Sequence, residues 1–246
     1  MADRLYLSVW YPNFRPEALP GALTGVLRQF AVIGNKRIGA ASAYPINFTE
    51  PPTYQRIYVE PRTSPGEPAT IESTPEATDA AIEAAVVEAT EQLHDDMAYE
   101  FEMRWQLWSP EQPSQGFSRF GSLSEDDTDI DQDPDLDLDA LETDWKLRPH
   151  LVRFLGFGPQ FDTAGYEQNG HILVDFGLDT PWVMDENLSE DELDDAAQLR
   201  IQQNVEKLLA FTLLVEKNCG ISSRLLWTES GEPLAEKLIA RLQRVN

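Results

Sequence analysis

The most suggestive spacing in this sequence belongs to acids. From Asp129 to Asp139 a carboxylate falls at every second residue. Counted from Asp131, the residues Asp131, Asp133, Asp135, Asp137 and Asp139 take loop positions 1, 3, 5, 7 and 9, with Glu142 at position 12. That is the oxygen-ligand spacing of an EF-hand loop, and calcium seeks six to eight hard oxygens. Two residues oppose the match. Leu136 stands where the sharp turn needs glycine, and Pro134 precedes it. An alternating Asp run also meets any every-second-residue template, so a solvated acidic loop is the favoured reading. Calcium is the one cofactor it suggests.

A second group combines an imidazole, two carboxylates and an indole. His171 opens an apolar run and Asp175 follows four residues later, so the two share one face of a strand. Asp179-Thr180-Pro181-Trp182 comes next, at a turn that is expected to expose its tryptophan. These four residues, His171, Asp175, Asp179 and Trp182, form the candidate binding group.

Other chemistry finds less support. The three histidines, His94, His150 and His171, have no second His or Cys at the spacing of a structural zinc site. His94-Asp95-Asp96 reads as a polar turn. Glu100 and Glu102 lie on one strand face beside Arg104, the pattern of an exposed surface with a salt bridge. The sequence holds no nucleophile elbow, P-loop or dinucleotide fingerprint. Gly156-Phe157-Gly158 reads as a strand-ending turn. Cys219, the single cysteine, falls at a helix C-terminus, where the dipole disfavours a thiolate. No catalytic residue is assigned, and the sequence leans away from an enzyme.

Charge narrows the partners. The 246 residues carry 19 Lys+Arg against 43 Asp+Glu, a net charge of −24. Neutralising nucleic-acid phosphates or an anionic membrane surface needs the opposite balance. The surplus is concentrated. Residues 125–144 hold 11 acids and residues 185–195 hold 7, with no base in either. The start, MADRLYLSVWYP, lacks the basic end and long apolar core of a signal peptide. No run approaches the roughly 18 apolar residues of a membrane helix. A soluble, cytoplasmic protein is expected.

Periodicity supplies the elements that would hold these residues. Strands are expected at 5–11, 37–44, 54–60, 97–108, 151–157, 171–176 and 223–228. The clearest is 97–108, where Tyr99, Phe101, Met103, Trp105 and Leu107 alternate with polar residues. Helices are expected after Pro16, from Thr74-Pro75 to about Gln92, from Ser189 to Asn218, and after Pro233. Ser189 with Glu192 makes a capping box, and Asn218 with Gly220 suits a left-handed helix end. The fold class is α+β: a mostly antiparallel sheet of about seven strands with long helices on one face. The first half follows a ferredoxin-like β-α-β-β-α-β order. A single domain is expected over 1–246, with 1–108 and 147–246 as possible pseudo-modules around an acidic, flexible insertion at 109–146.

An acidic chain without catalytic motifs fits a non-catalytic interaction protein (an adaptor, or an inhibitor or immunity type) that offers its acidic surface to a basic protein. A small-molecule-binding domain or enzyme, with a pocket between sheet and helices, is the alternative.

Overall fold

The computed structural model describes residues 3–34, 38–45, 75–110, 145–160, 169–183 and 195–231. The described elements are β1 (Arg4–Trp10), a 3-10 turn (Pro16–Ala18), α1 (Leu19–Ile33), β2 (Ala40–Pro45), α2 (Pro75–Ala89), β3 (Met97–Pro110), β4 (Trp145–Phe157), β5 (Ile172–Leu178), α3 (Asp195–Asn218) and β6 (Ser223–Thr228). The strands form one six-stranded sheet in the order β2-β3-β4-β5-β1-β6. Every neighbouring pair is antiparallel. The α+β class with an antiparallel sheet is therefore as expected. The expected strand at 54–60 and the helix after Pro233 lie outside the described residues, as do Asp131, Asp133, Asp135, Asp137, Asp139 and Glu142. β1 lies between β5 and β6, so strands from both halves share the sheet.

Cross-strand register divides the sheet into two faces. Leu7 pairs with Val174, Val174 with Phe154 and Phe154 with Phe101, so these four side chains share one face. All four are fully buried. Phe30 of α1 reaches into the centre of this face, its ring centroid 5.2 Å from Trp105, 5.1 Å from Phe154 and 5.5 Å from Phe211 of α3. Large rings packed at these separations bury much apolar surface each and fix the seating of the helices. Of the periodic residues of α1, Leu19, Leu23, Val26, Leu27 and Phe30 are buried and Ala22 is partly buried.

The glycine pair Gly156-Phe157-Gly158 does more than end a strand. Gly156 lies within β4, and a Cβ there would come within 3 Å of the Leu19 side chain. Its bare backbone lets the first turn of α1 settle onto the sheet. A Cβ on Gly158 would collide with the backbone carbonyls of His94 and Asp95. That close approach ties the end of β4 to the His94 turn, where the Gly158 amide donates to Met97 O and the Gln160 amide to Asp95 O.

β3 and β4 correct the expected limits of the insertion. Both strands run further than periodicity indicates, pairing from Ala98↔Phe157 to Pro110↔Trp145. Residues 109–110 and 145–146 are thus strand, not insertion. The polar residues of 145–150 hide this extension, because among the described residues β3 alone supplies their ladder partners. Beyond Glu102, where pairing with β2 ends, the free edge of β3 is met by α3. Asn204 takes the place of a neighbouring strand: its Oδ1 accepts the Trp108 amide at 2.9 Å, and its Nδ2 donates to Trp108 O at 2.8 Å and Pro181 O at 2.9 Å. Lys207 Nζ donates to Gln106 O at 2.7 Å.

Candidate functional site

The four candidate residues from the sequence occupy different settings. Trp182 is fully buried, which corrects the expectation of an exposed ring. Its centroid lies 5.8 Å from Trp105 and 6.0 Å from Phe176, and its Nε1 donates to Asn204 O at 3.1 Å. The turn that was expected to expose it does the opposite. The Trp182 and Val183 amides both donate to Asp179 O, and this tight turn swings the indole under the sheet. Asp179 is itself buried. Its Oδ1 accepts the Asp3 amide at 2.9 Å, while its own amide donates to Asp3 O at 2.7 Å. Such reciprocal bonds pin the chain start to the end of β5.

His171 and Asp175 stand about 13 Å apart along an extended strand, and each serves a separate cluster. His171 stacks on Phe14, with centroids 4.1 Å apart and planes 9° from parallel. Its Nδ1 accepts the Tyr11 amide at 2.9 Å. Gly170, at φ +86°, makes the turn before it, and a Cβ there would strike the Val9 backbone. Burial holds the His171 pKa below its ordinary value. Because Nδ1 is an acceptor here, the proton of the neutral ring belongs on Nε2.

A pH prediction follows from that geometry. A lowered folded pKa means that the unfolded chain binds protons more readily than the folded one. The His171 contribution to stability is therefore present above the unfolded value near 6.5 and is lost as pH falls toward the folded pKa. Nitrogen-detected NMR should show an Nε2–H tautomer and a midpoint below about 6.5. A midpoint at or above that value contradicts the burial argument.

Asp175 lies in the middle of the sheet face opposite the helices. By register, Tyr6, Asp175, Arg153 and Glu102 run across neighbouring strands on this face, and Trp227 pairs with Tyr6. Asp175 Oδ2 is 3.5 Å from Arg4 Nη1, and its Oδ1 accepts the Gly177 amide at 2.8 Å. Arg153 reaches both Glu100 at 3.5 Å and Glu102 at 3.8 Å. The two glutamates therefore take their cation from the next strand, a pairing that one strand's sequence does not reveal.

Apolar groups flank these charges. Tyr6 and Trp227 stack with centroids 4.7 Å apart, and Trp227 Nε1 donates to Ser8 Oγ at 2.9 Å. Leu225, on the same face, is 52% exposed. The result is a surface of paired charges beside aromatic and aliphatic side chains. Among the described residues no group of three or more His, Cys, Asp or Glu is placed to hold a metal ion. Burial raises the Cys219 thiol to about 11, leaving it a poor nucleophile. Among the described residues no helix is long and apolar enough to cross a membrane.

One further pairing escaped the sequence. Ser109 Oγ lies 2.8 Å from His150 Nε2 across β3 and β4. Its only advance sign was a histidine without an obvious partner. Comparisons with protein-family models, with curated proteins and with solved structures find no match to this chain.

Proposed function

We propose that this is an interaction protein that offers acidic surface to a basic protein partner. The charge distribution carries this reading. Residues 125–144 and 185–195 supply 11 and 7 of the negative charges, and the net charge of the whole chain is only −24. Concentrated charge of one sign speeds encounter with an oppositely charged partner and rejects partners of like charge. The sheet face carrying Tyr6, Trp227 and Leu225 adds apolar surface on which a steered partner can settle. The opposite face is occupied by the rings around Phe30.

The reading makes a concrete demand on salt. A partner captured at about 50 mM salt should be released at about 500 mM, where the screening length falls several-fold. Replacing the acids of 125–144 by their amides should abolish the capture even at the lower salt. If the same partner stays bound at both concentrations and to the neutralised variant, the acidic segment plays no such part.

A further inference from the structure

We propose that Ser109 and His150 form a nucleophile–base pair that takes an acyl group from an activated carboxylic ester. The proposal is independent of the interaction reading and rests on the shape of the β3–β4 ribbon. Ser109 pairs with Lys146 and His150 with Trp105, so the two residues are offset by four positions. In a flat ribbon that offset amounts to about 13 Å, beyond the combined reach of a serine and a histidine side chain. Their 2.8 Å contact therefore requires the ribbon to coil.

The ribbon is gripped by α3. Asn204 grips both backbone groups of Trp108, Gln203 Oε1 accepts the Trp108 indole N–H at 2.7 Å, and Lys207 bonds Gln106 O. These contacts, from Gln203, Asn204 and Lys207 on adjacent turns of α3, thus fix the strand immediately before Ser109. A hydroxyl and an imidazole kept at bonding distance by rigid elements are the starting geometry for nucleophilic catalysis. Burial and the nearby Arg148 guanidinium lower the His150 pKa, which keeps the ring neutral and able to accept a proton at pH 7. Alternation along β4 places Arg148 on the same face as His150 and Lys146, adding positive charge near the position of a developing oxyanion.

In the proposed step Ser109 Oγ bonds to the ester carbonyl carbon while its proton passes to His150 Nε2. The bond from that carbon to the alcohol oxygen breaks, and the imidazolium returns the proton to the departing alkoxide. Water then attacks the acylated serine. His150 accepts the water proton and delivers it to Ser109 Oγ, so one ester and one water yield one acid and one alcohol.

Two probes test this. Diisopropyl fluorophosphate should form a Ser109 Oγ–P bond with loss of fluoride, and p-nitrophenyl acetate should acetylate the same oxygen. Peptide mapping should place both adducts on Ser109 and find none there in Ser109→Ala. His150→Gln should slow labelling about 100-fold or more, with circular dichroism confirming that the variant folds. His150→Asn replaces it if it does not. An unlabelled Ser109 in the wild-type chain overturns the proposal, as does a labelling rate that folded His150 variants leave unchanged.

Discussion

Replacing Asn204 with leucine is expected to lower the unfolding free energy by about 3 kcal/mol. Leucine has nearly the same size, so no large cavity or clash is introduced. What changes is the fate of three backbone groups. The Trp108 amide, the Trp108 carbonyl and the Pro181 carbonyl all bond to the Asn204 side chain. Asn204 itself is completely buried. Each group left without a partner costs roughly 1–3 kcal/mol, and those nearest the surface recover part of that from water. Asn204→Asp should be no milder. It retains the acceptor for the Trp108 amide but loses both donors and points a carboxylate at two carbonyl oxygens. Urea unfolding of the two variants measures the effect. A loss below about 1 kcal/mol in the leucine variant would mean that water reaches all three groups.

Asn204 also marks where sequence reasoning stopped. The apolar stripe of α3 is plain in the sequence, and Ile201, Val205 and Leu208 are buried as the helical period requires. Asn204 lies beside that stripe and gives no local signal, because its partners are 96 residues earlier in β3 (Trp108) and 23 residues earlier at Pro181. Strand alternation worked equally well at Tyr99 to Leu107, where each alternate residue is buried. It failed at 145–150, where the strand exists only because β3 runs alongside. The same limit applied to the site residues. Glu100 and Glu102 were visible as a pair, but Arg153 joins them through cross-strand register. Ser109 and His150 meet across β3 and β4 although four register positions separate them. Local periodicity encodes which face a residue takes; it does not encode register or coiling, and these bring distant polar groups together.

Trp182 provides the second large effect, because its two readings predict opposite results. A tryptophan exposed at a binding surface can be truncated with little cost in stability and a clear loss of partner affinity. The structure instead encloses the indole between Trp105, Phe176 and the Asn204 turn of α3. Trp182→Ala should therefore cost about 4 kcal/mol, the range for emptying a buried aromatic site. Trp182→Phe retains most of the ring packing and loses the bond to Asn204 O, so a loss of about 1–2 kcal/mol is expected. The graded pair separates core from surface. If both variants unfold like the wild-type chain, the ring faces solvent and Trp182 returns to the binding candidates. A steep loss for alanine and a shallow one for phenylalanine leaves Tyr6, Trp227 and Leu225 to carry the apolar part of any docking surface.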